Sequence, residues 1–257
     1  MQRTTATILL FWVFLASSLQ AQLSLNPFNW FGGEDEDIVA LNIASPEEEA
    51  EASAMLETGL AKLDADKLGS ASRTFKRIIK KHPNATATAD ALFYRGRIYM
   101  AKGRWAKAFE SFQEIINSHP NYKAFDKVIG SQFDCATALM EGARGRILWV
   151  IPGFKQYSKA VQHFEQIVRN APYSDYAPLS LMNIALISEM QGKPEEAIDS
   201  LDRLINYYPQ SMLAPDAYYN MAQTYANLVK GPEYDQGSTR QAISYYEDFL
   251  ILFPQSN

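Results

Sequence analysis

Five prolines mark a repeating unit along this chain, and their spacing constrains the fold more than any other feature. Pro83, Pro120, Pro172, Pro209 and Pro254 lie 37, 52, 37 and 45 residues apart. Two gaps are equal, and the others exceed them by 15 and 8, so a unit of constant length carries two insertions. The residues upstream keep the same register. Twelve positions before each proline stand Ala71, Ala108, Ala160, Ala197 and Ala242. Eight before stand Phe75, Phe112, Phe164, Leu201 and Tyr246, and five before stand Ile78, Ile115, Ile167, Leu204 and Phe249. A spacing of i, i+4, i+7 places the three on one helical face. The alanine lets a neighbouring helix approach closely, and the large residue one turn later fills the space beside that contact. The proline ends the helix, because it has no backbone N–H to donate and biases the preceding residue away from helical geometry.

A second helix precedes each of these. Met55 and Gly59, then Leu92, Gly96 and Tyr99, then Tyr218, Ala222 and Tyr225 place a Gly or Ala where the two helices of a pair would cross. Gly103 and Gly192 suit a left-handed stop between the helices, and Pro194 suits the first turn of the next one. Pro178 and Pro215 are expected near the start of the first helices of repeats four and five. One such pair buries little by itself, so neighbours must stack to create a continuous core.

This pattern resembles the tetratricopeptide repeat over roughly residues 46–256. The resemblance implies an all-α fold, a right-handed superhelical array (α-solenoid) of about five helix pairs. It also implies a groove lined by the first helices, of the kind that binds peptide segments of partner proteins. In such repeats the groove-facing positions lie two, five, nine and twelve places into each unit. Counted from Gly59 they are Ser53, Leu56, Leu60 and Leu63; counted from Gly96 they are Asp90, Phe93, Arg97 and Met100. The alternative reading of the apolar members is plain core. The set suits a peptide with alternating aromatic side chains and a terminal carboxylate, which Arg97 would pair.

The segments outside the repeats have their own character. Residues 1–21 have the form of a signal peptide: a base at Arg3, a nine-residue apolar run from Ile8 to Ala16, and a small residue at Ala21. The run is too short to span a bilayer. Residues 22–45 read as a flexible linker in which the aromatic, turn-rich stretch 26–33 precedes four acids, and residues 46–257 read as the repeat domain. The longer insertion, at about 142–156, lies between the helices of repeat three. It carries Leu148, Trp149 and Phe154, too apolar for a purely solvated loop, so it either folds onto the array or presents a partner-contact patch. The shorter insertion, 230–237, reads as a longer turn. A repeat array needs a polar terminal cap. None follows the fifth proline, so that end is expected to be continued or covered by another molecule.

Little in the chain points to catalysis. No phosphate-loop glycine signature and no H-E-x-x-H motif occur. The three histidines are His82, His119 and His163; the first two precede repeat prolines at helix ends, where a cation is favoured by the helix dipole. Glu47–Glu49 and Glu195–Glu196 fall at helix starts, where acids are favoured for the same reason. Cys135, the single cysteine, cannot form an internal disulfide and reads as a small buried hydrophobe. Lys76, Arg77, Lys80 and Lys81 form a basic run that is either a solvated face or a contact for an anionic partner. With a formal net charge of -5 the chain is not expected to bind nucleic acid. No cofactor or metal is expected.

As a whole the chain resembles the BamD family of outer-membrane assembly factors. The resemblance rests on five repeats soon after the signal-like segment, the His119-Pro120-Asn121 turn and the apolar insertion in repeat three. It implies a non-enzymatic scaffold in the periplasm or at the periplasmic face of the outer membrane. The implied partners are β-barrel assembly subunits or unfolded outer-membrane proteins, with peripheral membrane association. Family members carry a lipidated cysteine at the cleavage site, where this chain has Leu19-Gln20-Ala21-Gln22. A periplasmic repeat protein coordinating cell division or envelope maintenance is the alternative. An N-terminal coiled coil would favour it, and no sustained heptad run precedes residue 46.

Overall fold

The computed structural model describes residues 44–142, 155–229 and 236–255. The described residues form ten α-helices and no strand: α1 (Pro46–Asp64), α2 (Leu68–Lys81), α3 (Thr86–Ala101), α4 (Trp105–Ser118), α5 (Phe125–Glu141), α6 (Tyr157–Asn170), α7 (Tyr176–Met190), α8 (Pro194–Tyr207), α9 (Ala214–Leu228) and α10 (Gln236–Leu252). Successive helices pack on one another, giving five antiparallel pairs in an all-helical repeat array.

The repeat register is realised atom by atom. In the first four pairs the Ala, large and large positions (Ala71, Phe75, Ile78 and their equivalents through Leu204) are fully buried. A buried Phe or Leu of this kind stabilises by roughly 1.5–3 kcal/mol relative to exposure. The glycines of the first helices explain how each Phe fits. A Cβ added at Gly96 would lie 2.6 Å from the Phe112 ring, and Gly59 meets the Phe75 ring in the same way. Each phenylalanine ring therefore occupies the space over a stretch of helix that has no side chain. The second helices α2, α4, α6 and α8 end two residues before their prolines, and the residue between is non-helical, as at His119 (φ -134, ψ 61). Inside the pairs the left-handed turn residues are Asp66, Gly103, Gly142 and Gly192.

Helix starts follow the sequence chemistry too. Ser45 and Glu48 close a capping box on α1, with Glu47–Glu49 in its first turn. Pro194 opens α8, followed by Glu195 and Glu196. Pro215 lies in the first turn of α9, and Pro178 is the third residue of α7.

The extra length of repeat three is divided. Buried positions of α5 (Val128, Ile129, Ser131, Gln132, Cys135, Ala136, Ala138, Leu139) match those of α7 one for one. Ala136 is therefore the crossing residue. It lies 16 positions beyond Pro120, where Gly96, Ala185 and Ala222 lie 13 beyond their prolines. Three of the 15 added residues thus fall before the crossing residue, across the turn that holds Tyr122 and the start of α5, and twelve lie between α5 and α6. The apolar residues Leu148, Trp149 and Phe154 lie outside the described residues, as do 1–43 and 230–235.

Repeat five differs in burial. Ala242 is buried, but Tyr246 and Phe249 are half-buried, because α10 packs mainly on α9. Ile243, Leu250, Ile251 and Leu252 on α10 are exposed.

Candidate functional site: the first-helix row

The first helices bring one set of side chains into a row across the array. In repeat one Ser53 is exposed, while Leu56, Leu60 and Leu63 are half-buried and pack on the cluster around Ala52, Phe75 and Ile78. In repeat two Asp90 accepts a 2.7 Å hydrogen bond from the Tyr122 hydroxyl. Phe93 sits between Phe112 and Tyr122, at ring-centroid distances of 5.8 and 6.4 Å. Met100 is half-buried against the main core, and Arg97 alone of the four is exposed. The apolar members thus serve the core with one side and keep part of their surface accessible. Burial and the Asp90 carboxylate together push the Tyr122 phenol well above its ordinary value, which keeps it a hydrogen-bond donor.

The same offsets continue the row through Phe133 and Met140 on α5, Met182 and Leu186 on α7, and Tyr219 on α9. Here the accessible apolar surface grows: Leu186 is 40% exposed and Tyr219 45%. Polar side chains tie the two last first-helices together. Thr224 donates to the Glu189 carboxylate at 2.6 Å, and Asn220 donates to the Met182 sulfur at 3.6 Å. The row thus combines polarisable thioether and aromatic side chains with the exposed Arg97 guanidinium, a planar donor group matched in shape to a carboxylate.

A second concavity escaped the sequence reading. The turns after α6 and α8 enclose a cleft of about 1070 Å³ lined by Pro172, Tyr173, Pro178, Leu179, Tyr207, Tyr208, Pro209 and Met212. Tyr173, Tyr207 and Met212 are largely exposed in it. Arg203 at its wall is held by a bidentate pair with Glu165, at 2.7 and 3.0 Å, which joins repeats three and four. Tyrosines flanking two repeat prolines were the available signal.

The remaining reactive groups are structural. Burial pushes the Cys135 thiol up to about 12, so it packs rather than attacks. His163 stacks on Phe109 at 3.8 Å, and burial holds its pKa down at about 4. At His119 burial lowers the pKa, and the nearby Glu114 carboxylate only partly offsets it. His82 is buried, with Nε2 3.5 Å from the Glu51 carboxylate. Among the described residues no group of three or more His, Cys, Asp or Glu could hold a metal ion. No described helix is long and apolar enough to cross a membrane.

Comparison with known proteins agrees with this architecture. The Tetratricopeptide repeat family matches residues 56–123, and a second family profile of the same description matches 179–211 and 216–256. The chain is 29% identical over 100 residues to the outer membrane protein assembly factor BamD of Caulobacter vibrioides, covering 39% of this chain and 33% of the relative. It is 29% identical over 102 residues to BamD of Rickettsia prowazekii, covering 40% of this chain and 41% of the relative. It therefore matches well under half the length of either. Among solved structures, MamA protein aligns over 78% of this chain and 90% of its own, at 16% identity and a TM-score of 0.41. With ten helices in five pairs and family matches that together span more than half of the chain, the chain belongs to the tetratricopeptide-repeat proteins and resembles the assembly factor BamD.

Proposed function

We propose that this chain is a non-catalytic scaffold whose first-helix row binds protein segments, in a BamD-like role in the assembly and insertion of β-barrel proteins into the outer membrane. The observation that carries the reading is the row itself, in which Phe93, Met182, Leu186 and Tyr219 present partly accessible apolar surface and Arg97 presents an exposed cation. The similarity to two BamD proteins gives the row its proposed partners, the barrel-assembly subunits and unfolded outer-membrane proteins. The signal-like residues 1–21 support a site of action in the periplasm or at the periplasmic face of the outer membrane. The apolar residues Leu148, Trp149 and Phe154 are proposed as an additional partner contact. Affinity capture of the tagged full chain from envelope extracts of its host, with partner identification, tests the role. Recovery of a barrel-assembly subunit is the expected result. Recovery of cell-division proteins without any barrel-assembly subunit would replace this reading with the division-coordinating one.

A further inference from the structure

The outward face of α2 carries four exposed cations, Arg73, Lys76, Arg77 and Lys80, at i, i+3, i+4 and i+7. Ala71, Phe75 and Ile78 of the same helix point into the core, so the stripe lies opposite the packed side. It is about 10 Å long, at 1.5 Å of rise per residue. α2 contains no acid, and among the described residues none of the four has an ion-pair partner; the neighbouring Lys81 is the one neutralised, by Glu51. Arg73 with Arg77 and Lys76 with Lys80 are like charges one turn apart, an arrangement that destabilises an isolated helix. The face is peculiar to repeat one. At the corresponding places repeat two has Glu110 and Glu114, and repeat four has Asp199 and Asp202. A chain of net charge -5 thus places four cations without an ion-pair partner among the described residues on one outward helix face.

We infer that this face docks the protein on an anionic lipid surface. Charge complementarity is the ground. Four uncompensated cations on one helix face meet the density of charge a polybasic lipid-binding segment needs. The stripe holds no exposed large apolar side chain, and a Cβ at Gly69, in line with it, would meet nothing within 4 Å. A protein partner is gripped through buried anchors in pockets, which this open face does not offer. A bilayer of anionic headgroups needs only charge. The contact is therefore electrostatic, without insertion, and is screened by salt. It is independent of the first-helix row, which lies on the other helix of each pair.

Flotation of the full chain with vesicles tests it. Vesicles of mixed phosphatidylglycerol and phosphatidylcholine are compared with phosphatidylcholine alone, at low and at physiological salt. The parent should float with the anionic vesicles only, and less so as salt rises. The triple variant Lys76→Gln/Arg77→Gln/Lys80→Gln should bind about 100-fold more weakly. A control with the same change in net charge, Lys123→Gln/Lys127→Gln/Lys159→Gln, should stay within about threefold of the parent, since its charges are not clustered on α2. Circular dichroism confirms that each variant is folded. Absence of binding to anionic vesicles, equal binding to phosphatidylcholine, or an equal loss in the control overturns the inference. So does binding of a polyglutamate peptide with no vesicle binding, which would reassign the stripe to an acidic protein segment.

Discussion

Phe112→Ala should lower the free energy of unfolding by about 3–5 kcal/mol, the cost of emptying a fully buried aromatic site. Phe112 has no exposed surface, lies against the bare backbone of Gly96, and touches Phe93 of the first-helix row. Its loss removes a central part of the packing between the two helices of repeat two and part of the support under Phe93. Because stacked repeats derive stability from their neighbours, the damage should spread into repeats one and three. Urea unfolding followed by helicity measures it. A loss below about 1 kcal/mol would mean that the site collapses without penalty or that the helix pairing is wrong.

Gly96→Val should cost about 3 kcal/mol, at the upper end for overpacking in a rigid core. A Cβ there would sit 2.6 and 2.7 Å from two ring carbons of Phe112, and the ring is enclosed on every side. The steric origin can be isolated by a double-mutant cycle. In a Phe112→Ala background the same Gly96→Val change should cost at least about 1 kcal/mol less than in the parent, since the ring it strikes has gone. Equal costs in both backgrounds would assign the effect to something other than the ring-on-glycine contact. Valine is the poorer helix former among aliphatic residues but better than glycine, so propensity alone predicts no loss.

These two positions also show why so much of the fold was legible. Alanine, phenylalanine and proline at fixed offsets state the helix face, its partner and its end, and each is enforced by local sterics. Gly59 and Gly96 were readable as crossing points for the same reason. What was hidden depends on how elements meet. The 15 added residues of repeat three looked like one insertion, but the position of Ala136 divides them between the two sides of α5. A gap between prolines gives only the total. The burial that lowers the His119 pKa was hidden too, because desolvation is set by neighbours. The half-burial of Tyr246 and Phe249 depends on what packs beyond them, which the repeat pattern does not encode.

The row was legible only in part. Family offsets placed Leu56, Leu60, Leu63, Asp90, Phe93, Arg97 and Met100 on the first helices, and the structure brings them there. Their degree of exposure was not readable, because it depends on how closely adjacent repeats approach. The most accessible apolar members, Leu186 and Tyr219, lie in repeats four and five, beyond the two repeats on which the reading concentrated. The Tyr173 and Tyr207 cleft lies between repeats and follows from stacking, with no single-repeat motif to announce it.

The most direct test of the proposed role is a titration of the full chain with a peptide that alternates aromatic side chains and ends in a free carboxylate. The parent should bind weakly, with Kd of about 1–100 µM, since a short flexible peptide loses much ordering entropy on binding. Arg97→Ala, at an exposed position, should weaken binding about tenfold or more by removing the partner of the carboxylate, with helicity unchanged. Phe93→Ser should abolish detectable binding, with circular dichroism to confirm the fold. Equal affinity for parent and both folded variants would contradict the account and move peptide recognition away from the first-helix row of repeats one and two.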